Sequence, residues 1–341
     1  MTRIISLRWI NVAQLTLAGL LCIGVDLATA QSVNQSGSDR GLSDWLVRIN
    51  RASERRSYIG TFVVSSADQL ASSRIWHVCD GQVQMERVDA LSGMPKTTIR
   101  RDQEVLTLLP GKLEGVVQNR EALAIFPNIL ADSGPELERY YAFRHLRGER
   151  VAGYLTDLLH LNPRDELRFG YRIWSERESG LVVKLQIIGR EGRVLEQTVF
   201  SELQLDAPVS LQQLQHMMAN TQGYRIERPQ VHKTTLESEG WQVKANVPGF
   251  RPLNCYGRQL EVASDNRLLT QCIFTDGLAP VSLFLENFDP RRHVKEGLYV
   301  SGATHGLTRR IASGGQAWWL TLVGEVPTQT LVALASSLSR R

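Results

Sequence analysis

Residues 275–286 read TDGLAPVSLFLE, and the division of that stretch into turn and strand sets the grammar of the chain. Asp276-Gly277 is a turn signal, because glycine accepts the positive φ that a tight turn requires. Val281, Leu283 and Leu285 then alternate with Ser282, Phe284 and Glu286, the period-two pattern of a half-buried strand. Leu278 and Ala279 extend the apolar run. Pro280 stands at its start, where a strand tolerates a missing N–H. The segment is rich in architecture and poor in chemistry.

The same grammar surrounds it. Strands are expected near 231–237 and 241–245, then as a hairpin of 255–262 with 268–274 about a turn at Ser264-Asp265-Asn266. After the quoted strand come 299–304, 307–311 and 317–323, the last two joined at Gly314-Gly315. Pro327 then opens a helix in which Leu331, Leu334, Ala335 and Leu338 share one face. Residues 223–341 thus read as a small α+β domain with a helix lying on a sheet.

Upstream, Leu42, Trp45, Leu46 and Ile49 recur at helical spacing, with Ser43 as the expected N-cap. Short strands follow at 57–65, 73–78, 83–88, 96–101 and 104–109, punctuated by Asp80-Gly81, Ser92-Gly93 and Pro110-Gly111. One short helix is expected near 136–143. Strands resume at 149–161, 169–176, 181–188 and 194–204. Strands this close together must be antiparallel, since a parallel crossover needs about a dozen residues or more. Residues 41–205 therefore form a large antiparallel sheet that must close, curl or be covered. The helix-like LQQLQHMMA lies within 206–222, read as the linker between two domains.

The first thirty residues read as a signal peptide. Arg3 and Arg8 precede an apolar stretch from Trp9 to Val25, and Ala28-Thr29-Ala30 is an A-x-A cleavage signature. Asn11 and Gln14 interrupt the run, which is shorter than the roughly 20 residues of a membrane span. Cleavage is expected after Ala30, with 31–40 as a polar leader. Leu21 is too bulky to make Cys22 a lipidation site. The formal net charge is +4, and losing Arg3, Arg8 and Asp26 lowers it by one. With the paired basics scattered along the chain, nucleic acid is not an expected partner. Beyond the leader three cysteines remain, Cys79, Cys255 and Cys272. Cys255 and Cys272 flank the predicted hairpin turn and are the disulfide candidate, although equal arms about that turn set Cys255 opposite a residue nearer 275. A bridge therefore requires a shifted or bulged register, and both states stay open.

No nucleophile-elbow, Cys-x-x-Cys, zincin or Walker motif is present. His77 and Cys79 share a strand face but do not complete a metal site. Glu136 and Glu138 lack the companions of a carboxylate site, and His293 and His305 lack an identifiable nucleophile. No cofactor is implied, and a binding protein is favoured over an enzyme, with an envelope hydrolase using His293 or His305 the poorest alternative. Trp318 and Trp319 point to opposite faces of a predicted strand, so either both are core or one is exposed. The segment 301–310, polar and ending in Arg309-Arg310, can grip an acidic or extended peptide or be simply solvated.

These pieces resemble the RseB/MucB family of periplasmic regulators of the envelope-stress sigma factor. The resemblance rests on TDGLAPVSLFLE, Gly-Ala-Thr-His at 302–305 and the closing WWLTLVGEVPTQTLVALASSL, with SYIGTFVVSS (57–66) and RIWHV (74–78) in the first domain. It covers nearly all of the mature chain. It implies a periplasmic protein whose first domain is an unclosed β-barrel like the lipoprotein carriers, with helices plugging an apolar hollow. It implies binding to the periplasmic domain of a membrane-anchored anti-sigma factor, protection of that factor from proteolysis, and release by a lipid-type signal such as lipopolysaccharide or lipoprotein acyl chains. The alternative is a periplasmic lipid or lipoprotein carrier, and a homo-oligomer stays open. On this reading His305, Arg309, Arg310 and Trp318 or Trp319 contact the partner. Phe62, Val64, Ile75, Leu106 and Leu108 are expected to line the hollow. The cysteine pair has no assigned place in the family pattern.

Overall fold

The computed structural model describes residues 41–119, 134–262, 265–313 and 315–340, so the signal peptide and leader lie outside the described residues. Helix α1 (Leu42–Arg55) is followed by β1 (Tyr58–Ser66), β2 (Gln69–Cys79), β3 (Gln84–Ala90), β4 (Thr97–Arg101), β5 (Glu104–Leu109) and β6 (Glu114–Asn119). Helix α2 (Gly134–Tyr140) leads into β7 (Tyr141–Val151), β8 (Tyr154–Pro163), β9 (Gly170–Glu176), β10 (Val182–Ile188) and β11 (Val194–Leu205). Next come α3 (Leu211–Ala219), β12 (Arg225–Glu227), β13 (Val231–Thr234), β14 (Trp241–Val243), β15 (Arg251–Val262) and β16 (Asp265–Thr275). The chain ends with β17 (Pro280–Asn287), β18 (Gly297–Ser301), β19 (Thr304–Ser313), β20 (Gln316–Gly324), α4 (Thr328–Ser337) and β21 (Leu338–Arg340).

The first sheet has twelve strands in the order β12-β6-β5-β4-β3-β2-β1-β11-β10-β9-β8-β7. Two meanders meet where β1 pairs with β11, and β7 and β12 stand at opposite edges, so the sheet is unclosed. Every pairing is antiparallel except β12 with β6. A sheet this long must bury its apolar surface without closing on itself, and helices do the covering. On one face α1 inserts Leu42, Trp45, Leu46 and Ile49 against Tyr58, Phe62, Ile75, Ile173 and Phe200. The apolar stripe read from the sequence is that buried edge. The N-cap is Gly41 rather than Ser43, because Leu42 must itself be helical to reach the core.

The other face is covered by α3. Ser210 and Gln213 form a capping box at its start, and Leu214 packs among Val78, Met85 and Ile99. Paired residues of an antiparallel sheet share a face, and the register divides the five expected hollow residues. Gly60 pairs with Ile75, Ile75 with Val88, Val88 with Thr98 and Thr98 with Thr107. Phe62, Val64 and Ile75 therefore lie on the α1 face, whereas Leu106 and Leu108 alternate with Thr107 onto the α3 face. Leu106 lines a cleft with Met218, Ala219 and Ile226. A Cβ at Gly115 would lie 2.8 Å from Leu108 and 2.6 Å from Ile226. The expectation of one hollow lined by all five residues is thus corrected: period-two sides were assigned strand by strand, and only the cross-strand register decides between faces.

The second sheet runs β13-β15-β16-β17-β20-β19-β18, with β14 pairing separately with β21. The quoted strand is β17, central between β16 and β20, and Val281, Leu283 and Leu285 are buried as its alternation requires. Helix α4 packs Leu331, Leu334 and Ala335 onto the same core. In the segment 301–310, Ser301 ends β18, Gly302 and Ala303 form the turn, and β19 runs on from Thr304. A disulfide joins Cys255 and Cys272, whose Cα atoms lie 4.1 Å apart as a directly opposed pair. Of the shifted or bulged register that a bridge required, the structure has the shifted one. Val262 pairs with Asp265, where symmetry about Asp265 would set it opposite residue 268, and the register irregularity lies away from the cysteines, between Pro252 and Asn254.

Leu46→Ala should lower unfolding free energy by about 2–5 kcal/mol, the range for a fully buried leucine. Val47→Ala, on the exposed side of the same helix, should change it by about 0.5 kcal/mol or less. Urea denaturation of the two variants checks both.

Candidate functional site

The TDGL turn (275–278) and the Gly-Ala-Thr-His turn (302–305) both lie where the second sheet meets the first. Asp276 has no exposed side-chain surface, and neither does Arg168. Asp276 Oδ2 accepts from Arg168 Nε at 2.8 Å and from the Tyr141 hydroxyl at 3.0 Å. Its other oxygen, Oδ1, accepts from the backbone N–H groups of Leu278 and Ala279 at 2.9 and 2.8 Å. One carboxylate therefore shapes its own turn and crosses to the first sheet. Arg168 also donates to Asp165 and, at 2.6 Å, to the Pro248 carbonyl. Its guanidinium lies 4.4 Å from the Tyr140 ring centroid and 5.2 Å from that of Phe250. Burial works against the charge of Arg168, and Asp276 more than offsets it, so its pKa is raised. Burial, and then Asp276, hold the Tyr141 hydroxyl well above its ordinary range, which keeps it a donor.

The second contact is the β18–β19 turn. Ala303 has no exposed surface and belongs to the core of the first sheet. Gly302 has φ +58, and a Cβ there would lie 2.1 Å from Ser66 Oγ and 3.0 Å from the Leu195 carbonyl. Glycine is required both by conformation and by space. His305 bonds to the Thr328 hydroxyl at 3.0 Å, and its ring meets Phe169 edge-on at 5.4 Å. Burial lowers its pKa. Thr330 Oγ1 donates to the Leu167 carbonyl at 2.5 Å, tying α4 to the same seam. His305, expected at a partner surface, is partly buried, because the turn that carries it meets the first sheet.

A like-charge pair completes this region. Glu325 is half-buried, and its pKa is raised to about 7 by burial and then by the Glu196 carboxylate of the first sheet. Tyr171, buried nearby, is raised by its burial and then by Asp276 and Glu325.

The remaining expected partner residues separate by exposure. Trp318 packs against Trp241 with ring centroids at 5.5 Å, under the Arg340 guanidinium at 4.0 Å. Trp319, on the opposite face, stacks on His293 at 4.8 Å and 4°. Both tryptophans are buried, so the reading that left one exposed is corrected: the segment Phe288–His293 folds over the second face. His293 is held in that cover, accepting from the Asp289 N–H at 2.9 Å and lying 3.2 Å from Glu286. Arg309 and Arg310 are exposed, and Arg310 lies 4.4 Å from the Phe288 ring centroid. Edge strand β18 pairs only with residues 304–308, which leaves the end of β19 with one unpaired edge among the described residues. Leu298, Tyr299 and Val300 of β18 are exposed. Arg168 and Tyr141 are not legible in the sequence, since a buried arginine carries no local signature, and Asp276 reads there only as a turn residue.

The chain matches two family models, the MucB/RseB N-terminal domain over residues 42–218 and the MucB/RseB C-terminal domain over residues 235–339. It is 28% identical over 299 residues to "Sigma factor AlgU regulatory protein MucB" of Pseudomonas aeruginosa, covering 87% of this chain and 90% of that protein. It is 22% identical over 310 residues to "Sigma-E factor regulatory protein RseB" of Haemophilus influenzae, covering 87% and 90% respectively. Among solved structures it resembles MucB in complex with MucA(peri), with a TM-score of 0.66 and 26% identity over 88% of this chain and 99% of that one.

Asp276→Ala leaves Arg168 buried with part of its compensation gone, and should cost about 3–5 kcal/mol of stability by chemical denaturation. For Glu325 the sign follows from a folded pKa near 7 against 4.5 for the free side chain. Its contribution is full below about pH 4.5 and is lost as pH rises through 7. Melting curves should therefore show stability falling between those values, on the order of 2 kcal/mol after solvent screening. Glu325→Gln should flatten that slope.

Proposed function

Because this chain belongs to the MucB/RseB family, we propose that it is a periplasmic regulator that binds the periplasmic domain of a MucA-type anti-sigma factor. The observation that carries the reading is the match over nearly the whole of a chain solved together with MucA(peri). The disulfide between Cys255 and Cys272 accords with an oxidising compartment, and export by a signal peptide cleaved after Ala30 is part of the proposal. So is a division into two domains, read at 206–222, with α3 and β12 (Arg225–Glu227) held on the side of the first sheet.

In this reading the chain restrains envelope-stress signalling by shielding the bound anti-sigma segment from proteolysis. The contact surface is the exposed border of the second sheet, β18 with Arg309 and Arg310. A strand edge supplies backbone hydrogen bonds to an extended segment, and arginines supply charge-assisted bonds to its carboxylates. Trp318 and Trp319 support this surface from beneath. A lipid-type signal would release the partner by acting on the α1 face of the first sheet. Phe62, Val64 and Ile75 lie there, and an acyl chain reaching Phe62 and Ile75 must displace α1.

Titration calorimetry of the mature chain with the periplasmic anti-sigma domain from the same genome tests the reading. Binding should be measurable, and Arg309→Ala with Arg310→Ala should weaken it by about tenfold or more and reduce its salt dependence. Their folding stability should change by about 0.5 kcal/mol per site or less. Absence of binding by the wild-type chain overturns the function, while unchanged affinity in the double variant overturns the surface alone.

A further inference from the structure

The outer face of α1 borders a cleft of ≈ 580 Å³ lined by Asp44, Val47, Arg48, Arg51, Arg55, Arg56 and, from the turn after β9, Ser179. That volume is within the range of small-ligand sites, about 300–1,000 Å³. Asp44, Arg48, Arg51 and Arg55 follow one another at four, three and four residues, a single stripe along the helix. The stripe faces away from the buried edge formed by Leu42, Leu46 and Ile49.

The four arginines are not equivalent. Arg56 is committed to Asp206, donating to both carboxylate oxygens at 2.8 and 3.1 Å. Arg48 is anchored by a hydrogen bond to the Arg177 carbonyl and stands 3.8 Å from Asp157. These two form fixed walls. Arg51 and Arg55, both exposed, make no ion pair among the described residues. Asp44 at the far end of the stripe is the one acidic side chain on the lining. Among the described residues the cleft therefore carries more positive than negative side chains on its lining, with Arg51 and Arg55 outside any ion pair. Two uncommitted guanidiniums a helical turn apart suit the oxygens of a tetrahedral dianion, each able to donate a forked pair of hydrogen bonds. The partly exposed Val47 beside them leaves room for an apolar group attached to that anion.

We propose that the α1 arginine cleft is a binding site for a phosphate group, with Arg51 and Arg55 as its ligands and Arg48 and Arg56 as its walls. The site is distinct from the partner surface at β18 and β19, and it stands on the back of the helix whose buried side fills the first sheet. The same chemistry is offered by a soluble phosphorylated molecule and by a phospholipid headgroup.

The test titrates the mature chain with inorganic pyrophosphate, and separately with phosphatidic acid vesicles against phosphatidylcholine vesicles by flotation. The expected result is saturable binding in at least one arm, weakened at least about tenfold by Arg51→Gln with Arg55→Gln. The double variant should melt within a few degrees of the wild type, since both side chains are exposed, and the conservative Arg51→Lys with Arg55→Lys should recover part of the binding. Pyrophosphate binding points to a soluble source, and binding to phosphatidic acid alone points to a headgroup. Binding in neither arm, equal binding by the glutamine variant, or equal binding of acetate at the same ionic strength overturns the site. Polyglutamate binding at the stripe without either phosphate arm does the same.

Discussion

Arg168 carries a charge into a place with no water, and Asp276 is the carboxylate that makes this tolerable. An ion pair so buried gives back little net stability, because both charges lose their hydration. What it supplies is position. Arg168 belongs to the approach to β9 and Asp276 to the turn before β17, so the pair can be satisfied in only one arrangement of the two sheets. Tyr141, Pro248 and the backbone of Leu278 and Ala279 complete the hydrogen bonding and leave the pair little freedom to be satisfied otherwise.

The rest of the seam is consistent with that constraint. Ala303 enters the core of the first sheet on a glycine-shaped turn, and Thr330 ties the terminal helix to Leu167. Glu325 opposes this order mildly at alkaline pH, since burial beside Glu196 favours its neutral form. The seam thus includes one buried ion pair, one inserted turn and one carboxylate couple, beside apolar contacts such as Ala303 and Leu278 on the first core and Leu167 on the second. Changes at any of them should be felt by both sheets.

The first sheet is organised differently. It runs open through twelve strands and is covered by α1 on one side and α3 on the other. Both helices lie outside the strand meanders in sequence, α1 before and α3 after, and can be thought of as covers joined to the sheet by short connections. Helix α1 has one face in the core and one lined by arginines. The same element thus meets the apolar interior and the solvent-facing anion cleft.

Much of this architecture was legible in the sequence. The alternation of Val281, Leu283 and Leu285 is the burial pattern of β17, and the spacing of Leu42, Trp45, Leu46 and Ile49 is the buried edge of α1. Local periodicity determines which side of an element is apolar, because 3.6 and 2.0 residues per repeat are properties of the backbone itself. The resemblance carried by TDGL and Gly-Ala-Thr-His identified the family, but not what those residues do. Only the tertiary structure decided that Asp276 and Gly302 serve the seam, that Trp318 and Trp319 are both covered, and that Leu106 and Leu108 face away from Phe62. Each of these depends on register or on a partner more than a hundred residues away or on another strand. No local pattern encodes which of two apolar faces meets which helix, or which carboxylate a buried arginine will find.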